Sequence, residues 1–257
     1  MMSRTRVMYP LKILAPTVGT ALLVWGLLFA YLSSPAWAAT ITVNSTADPG
    51  TDDAQCTLRE AITSANTDTA FGGCVTGSGD DVINIGVTGT VELTAELPDL
   101  STNLEMVGPG ADQLTVTRPE TAEHFRIFTV TGDTTEVTIS GMTISNGNTL
   151  EVDDRGGSIS NEDNGTLTIT NSTISGNKAE DDGAIRNLGT LEVSNSTLSG
   201  NTSNGTAGGI YNDNEATATV TDSTFSGNSA ADGGIFNSGG TLDECCKVHA
   251  HSSLMRP

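Results

Sequence analysis

The sequence is poor in aromatic rings, which make up 4% of its 257 residues. Both tryptophans, Trp25 and Trp37, and two of the three tyrosines, Tyr9 and Tyr31, precede residue 40, leaving Tyr211 alone beyond it. A core without large rings has to be assembled from Val, Ile, Leu and small residues, which disfavours an ordinary globular enzyme and suits repeated stacking of aliphatic side chains. Basic residues are also scarce, 11 against 31 acidic, for a net charge of −20. Three of them, Arg4, Arg6 and Lys12, lie in the first 38 residues with no acidic one, so the remainder carries 8 basic and 31 acidic residues, a net −23. Nucleic-acid binding is excluded on that balance, because phosphate neutralisation needs clustered Lys and Arg. After Tyr31 there is no second apolar run of membrane-spanning length, so the remainder is not expected to span a bilayer. The sequence also lacks a CxxC pair, a GxSxG elbow, a calcium-binding nonapeptide repeat and the LxxLxLxxN frame of leucine-rich repeats.

What is present begins with a three-part leader. A basic start is followed by a mostly apolar run, Ile13 to Tyr31, and by Ala36-Trp37-Ala38, an A-x-A cleavage pattern. Residues 1–38 are therefore read as a secretory signal peptide, the competing reading being an uncleaved anchor helix. Either way the remainder is expected outside the cytoplasm, secreted or at the cell surface or outer membrane. Export makes a disulfide between Cys56 and Cys74 plausible. A short loop closed this way is worth ~3 kcal/mol if unstrained.

The strongest signal is a repeat. Val137-Thr-Ile-Ser-Gly-Met-Thr-Ile144-Ser returns as Leu167-Thr-Ile-Thr-Asn-Ser-Thr-Ile174-Ser-Gly-Asn177, as Leu191-Glu-Val-Ser-Asn-Ser-Thr-Leu198-Ser-Gly-Asn201 and as Ala218-Thr-Val-Thr-Asp-Ser-Thr-Phe225-Ser-Gly-Asn228. A second phrase follows each copy, ending in Ile159-Ser-Asn161, Ile185-Arg-Asn187, Ile210-Tyr-Asn212 and Ile235-Phe-Asn237, at spacings of 26, 25 and 25 residues. Apolar residues alternate with Thr, Ser or Asn, which is strand periodicity, and Gly, Asn and Asp punctuate the strands as turns. A unit this short cannot bury an apolar face alone, but stacked copies can. The sequence therefore predicts an all-β solenoid with three short strands per coil, paired in parallel from coil to coil at ~4.8 Å. The predicted inward columns are Ile139/Ile169/Val193/Val220, Ile144/Ile174/Leu198/Phe225 and Ile159/Ile185/Ile210/Ile235. Asn177/Asn201/Asn228 and Asn187/Asn212/Asn237 are predicted to form amide ladders.

Residues 81–136 keep the alternation without the clean repeat and read as irregular first coils. Residues 137–242 are the regular ones. Thr57-Leu58-Arg59-Glu60 is a capping box opening a short amphipathic helix. With Ile41-Thr42-Val43 it is expected to form, within residues 39–80, a cap over the N-terminal end of the solenoid.

Cys56-Thr-Leu-Arg-Glu-Ala-Ile62 resembles the CSLREAI motif of a family of exported bacterial proteins, departing from it only in Thr57. The later phrases resemble the repeats of chlamydial polymorphic outer membrane proteins, whose marks are FxxN and Gly-Gly-Ala before an aliphatic residue. Phe225-Ser-Gly-Asn228 matches the first directly, and Gly208-Gly-Ile210, Gly233-Gly-Ile235 and Gly183-Ala-Ile185 are similar to the second. Together the resemblances cover residues 40–242. They imply a right-handed parallel β-helix that is secreted or surface-exposed, with an adhesive role in the second family and no catalytic set in either. The barrel of the second family has no counterpart here, so its export route does not carry over.

Gly240-Thr-Leu242 opens another copy, but Asp243 to Pro257 does not continue it. The expectation for residues 243–257 is a shifted reading frame or a truncated longer chain. Cys245, Cys246, His249 and His251 carry metal-ligating atoms, but on what reads as an uncapped terminus.

Chemistry on a β-helix needs converging carboxylates on one outer face. The candidates are Glu151, Asp153 and Asp154 in one loop and Glu180, Asp181 and Asp182 in the equivalent loop of the next coil, with Arg155 and Arg186 nearby. They are read chiefly as solvated acidic turns and secondarily as a calcium or acid–base patch, calcium being the one cofactor to consider. Tyr211 and Phe236 fall at equivalent outward positions beside Ser160 and Arg186 and form the candidate ligand platform. His124 is a lone loop histidine. Sequons at Asn44, Asn164, Asn171, Asn195, Asn201 and Asn204 are by-products of the repeat unless the host glycosylates them. The expected function is structural or adhesive, toward an extracellular or cell-surface polysaccharide or protein. The alternative is a polysaccharide lyase or hydrolase of the same fold.

Overall fold

The computed structural model describes residues 38–48, 54–150, 155–245 and 249–251. Contacts divide the chain into Met1–Ala36 and Trp37–Pro257, and every described residue belongs to the second unit. The leader read at residues 1–38 thus lies almost wholly outside the described residues. No helix among the described residues is long and apolar enough to cross a membrane.

The chain winds as a parallel β-solenoid with three long sheets. The first sheet has eight strands and starts with Thr40–Val43, Asp81–Ile85 and Leu104–Val107 before entering the regular repeats. The second has seven strands and the third five, running from Phe128–Val130 to Ile235–Asn237. A short fourth pairing joins Lys178–Ala179 to Thr202–Ser203. Every strand pair named in these sheets is parallel, as one-strand-per-coil stacking requires.

Register places the predicted columns in line. Ile139, Ile169, Val193 and Val220 are Cα partners in the first sheet, as are Ile144, Ile174, Leu198 and Phe225 in the second and Ile159, Ile185, Ile210 and Ile235 in the third. All are buried, and each fully buried aliphatic side chain contributes about 2 kcal/mol. The less regular coils follow the same rule, with Ile83, Ile85, Val91, Leu93, Leu104, Met106, Leu114, Val116, Phe128 and Val130 in the same core.

The corners explain the punctuation of the repeat. Between the first and second sheets Gly141, Asn171, Asn195 and Asp222 all adopt positive φ, from 46° to 66°. At the next corner Asn146, Gly176, Gly200 and Gly227 do so at 58° to 66°. A left-handed residue is needed once per coil at each place, and Gly, Asn and Asp tolerate it best.

The asparagine ladders are formed. Asn177 Nδ2 donates to Asn201 Oδ1 at 2.9 Å and Asn201 Nδ2 to Asn228 Oδ1 at 2.9 Å. The second ladder reaches one coil further back than the sequence reading, because Asn161 donates to Asn187, which donates to Asn212, which donates to Asn237. A serine ladder escaped the sequence reading: Ser172 N donates to Ser196 Oγ and Ser196 N to Ser223 Oγ, each at 3.2 Å.

The helix α1 (Leu58–Thr67) opens with the capping box and packs on the first strands. Thr57 N donates to Glu60 Oε2 at 3.0 Å. Cys56 and Cys74 form a disulfide that ties the start of α1 to the loop after it. Beyond Leu242 the backbone continues in register, with Cys245 opposite Thr221 and His249–His251 along Thr224–Ser226. Cys246 and residues 252–257 lie outside the described residues.

Candidate ligand-binding face

On the side of the third sheet away from the core, strand parity and coil stacking align one column, Thr129–Ser160–Arg186–Tyr211–Phe236, whose first two members are buried. The Tyr211 and Phe236 rings stack with centroids 5.7 Å apart and planes 16° from parallel. Two rings on successive coils meet this way because strand spacing is close to an aromatic stacking distance. Burial pushes the Tyr211 phenol above its ordinary value, and the Asp213 and Asp182 charges push the same way.

Arg186 organises the face. Its Nη1 donates to both oxygens of Glu162 at 2.9 Å. Its Nε lies 3.2 Å from Asp182 Oδ2, yet that N–H makes no aligned hydrogen bond, so the second pairing is Coulombic rather than directional. Glu162 also accepts from Ser160 Oγ and lies 3.9 Å from Arg126. Arg126 is itself buried and donates to the Gly156 and Arg155 carbonyls at 3.1 and 2.7 Å, stitching two coils together.

The Glu180–Asp182 loop departs from the solvated turn expected of it. Glu180 is exposed and accepts from Asn204, and Asp181 accepts from the Thr206 backbone N–H. Asp182 instead is buried, 1% exposed, at a φ of 64°. The reason is the left-handed step into the third sheet, which turns the side chain inward between Arg155 of the preceding coil, at 3.5 Å, and Arg186 of its own. Burial first, and then the Asp181 charge, push the Asp182 carboxyl up to about 6, against the lowering by both arginines.

The remaining candidates do not join this cluster. Glu151, Asp153 and Asp154 lie outside the described residues, although the backbone of Arg155 beside them forms a parallel bridge with that of Asp181 in the next coil. His124 Nδ1 lies 2.5 Å from the Leu150 carbonyl oxygen. Among the described residues no three His, Cys, Asp or Glu side chains are grouped so as to hold a metal ion. Of the sequon asparagines, Asn201 is buried in its ladder, while Asn44, Asn164, Asn171, Asn195 and Asn204 are exposed. Sequence reasoning missed Glu162, Arg126 and Arg118. For the two arginines the signal available was the scarcity of basic residues, since one in so acidic a chain invites the question of what it holds. Arg118 is buried and donates to the carbonyls of Asn146, Pro119 and Ala122, an interior tie rather than a surface group.

Residues 120–247 match the family model described as right handed beta helix region. With the coil stacking above, this makes the fold a right-handed parallel β-helix. No curated protein and no solved structure matches the chain.

Proposed function

We propose that this is an exported or cell-surface β-helix with a structural or adhesive role, whose contact surface is the outer side of the third sheet. The observation that carries the reading is Arg186. It binds Glu162 through both carboxylate oxygens at 2.9 Å and lies 3.2 Å from Asp182. The Glu162 carboxylate is engaged by Arg186 of the next coil, which cross-links the solenoid and leaves Tyr211 and Phe236 as the aromatic part of the face. Export is supported by the leader and by the Cys56–Cys74 disulfide, a bond that persists in oxidising compartments. The resemblance of the repeats to those of surface adhesins agrees with it.

The test is binding of the full chain to arrays of polysaccharides and surface proteins. The adhesive reading expects retention without turnover, reduced at least tenfold by combining Tyr211→Ala with Phe236→Ala. Release of reducing ends or of unsaturated sugar products would overturn it. That outcome defines the second reading, a polysaccharide lyase or hydrolase, in which calcium would be a candidate cofactor. The observation favouring this alternative is Asp182, whose carboxyl is pushed up to about 6, a range suited to a general acid.

A further inference from the structure

Two buried aspartates in this molecule are held in opposite ways. Asp48 accepts four short bonds, from Arg59 at 2.8 and 2.9 Å, from the Thr94 backbone at 2.7 Å and from the Thr94 hydroxyl at 2.9 Å. Asp182 has Arg155 at 3.5 Å and Arg186 at 3.2 Å, with no backbone N–H and no hydroxyl donating to it among the described residues. Arg155 is 55% exposed, so water weakens its hold, and Arg186 is shared with Glu162. The groups that act on Asp182 come from three coils: Arg155 from the one before, Asp181 and Arg186 from its own, and Asp213 from the one after, where Tyr211 also feels its charge. Two of these are further carboxylates. A buried carboxylate with long contacts and like charges beside it is poorly compensated when ionised.

We propose that Asp182 is an acid-responsive latch at the corner leading into the third sheet, holding residues 181–187 closed when its carboxyl is neutral and loosening them when it is ionised. The corner is built to respond. Asp182 and Gly183 are both left-handed, at φ of 64° and 72°, and the outward column Arg186–Tyr211 starts three residues later. The sign follows from where the proton is held. The closed carboxyl titrates at about 6, whereas an opened, solvated one returns to the ordinary 3.8. Between these values the closed form holds a proton that the opened form has lost. Closure is therefore fully favoured below the lower value, and that advantage is lost as pH rises through the upper one. An acidic compartment stiffens the face, and neutral pH relaxes it. This does not depend on what the face binds, and it stands or falls apart from the adhesive reading.

The test is amide hydrogen exchange on the full chain, read by mass spectrometry from pH 5 to 7.5 and corrected for intrinsic exchange. Protection across residues 181–187 is expected to fall by up to about tenfold between pH 5 and 7.5 and to level off above 6, the full tenfold corresponding to complete solvation of the carboxylate on opening. Asp182→Asn abolishes that dependence and leaves the ladder amides of Asn201 and Asn212 unchanged. Asp181→Asn moves the midpoint down, because a repelling charge is gone. If Asp182→Asn does not fold, Arg155→Gln decides, since losing an attracting cation moves the midpoint up. A flat wild-type profile, a slope surviving in Asp182→Asn, or midpoints unmoved by the neighbouring substitutions would overturn the proposal.

Discussion

Arg59 and Asp48 form a two-pronged ion pair, with Nε 2.8 Å from Oδ1 and Nη2 2.9 Å from Oδ2. The same guanidinium donates to the carbonyls of Glu96 at 2.6 Å and Ala95 at 2.7 Å. One side chain of α1 thus joins the segment before the helix to the loop after Gly89–Glu92, the first strand of the second sheet. Leu58, Ala61 and Ile62 of the same motif are buried beneath it. Within the motif Cys56 is bridged, Thr57 and Glu60 cap the helix, Arg59 clamps Asp48, and the apolar residues are buried where α1 packs on the first strands.

Arg59→Ala should therefore destabilise the chain by about 3 kcal/mol, since it leaves the buried Asp48 carboxylate without its cation. Arg59→Lys should recover little, because an ammonium cannot match the carboxylate fork while reaching two carbonyls. Urea unfolding of the full chain reads both. A loss below half a kcal/mol for Arg59→Ala would mean that the clamp is incidental.

The coil columns and both asparagine ladders were legible in the sequence because each depends on a residue recurring at a fixed interval. Ile185 must face inward if Ile159 and Ile210 do, and Asn201 must meet Asn177 if the coils stack. The clamp was not legible, since nothing in the spacing of Arg59 and Asp48 marks them as partners. The Arg186 cluster was half legible. Register placed Arg186, Tyr211 and Phe236 in one column, but the burial of Asp182 depends on a left-handed backbone step that an Asp-Asp-Gly loop does not announce. Ser172, Ser196 and Ser223 were visible in the repeat without announcing a ladder, because a buried serine ladder and an exposed serine turn look alike until the backbone donors are located.

The ladder yields a second prediction. Asn201 is fully buried, accepts from the Asn177 backbone and amide at 3.0 and 2.9 Å, and donates to Asn228 at 2.9 Å and to the Ile174 carbonyl at 3.0 Å. Asn201→Ala strands donors on one side and acceptors on the other, for a loss of about 2 to 4 kcal/mol. Asn201→Asp should be no better despite its shape, because a carboxylate cannot donate to Asn228 or Ile174. Asn204→Ala, three residues on and exposed, should stay within about 0.5 kcal/mol. Chemical denaturation of the three variants side by side tests the ordering, and equal losses at Asn201 and Asn204 would remove the ladder as a source of stability.

Two glycines separate backbone strain from steric clash. Gly200 has a φ of 62°, and an added Cβ would meet nothing within 4 Å. Gly200→Ala then costs only the left-handed backbone, about 1 kcal/mol, and Gly200→Asn costs less, as Asn146 shows by holding the same corner at 58°. Gly72 has a similar φ of 56°, but a Cβ there would lie 2.4 Å from Glu60 Cδ and Oε1. Glu60 is fully buried and fixed by the capping box, so it cannot swing away. Gly72→Ala should accordingly cost about 3 kcal/mol or more, the same strain plus the collision. Adding Glu60→Ala removes the collision, so the double variant should lose less than the two single losses combined. Additivity in that cycle would show that the glycine answers to its backbone alone, and coupling of about a kcal/mol or more would show that Glu60 dictates it.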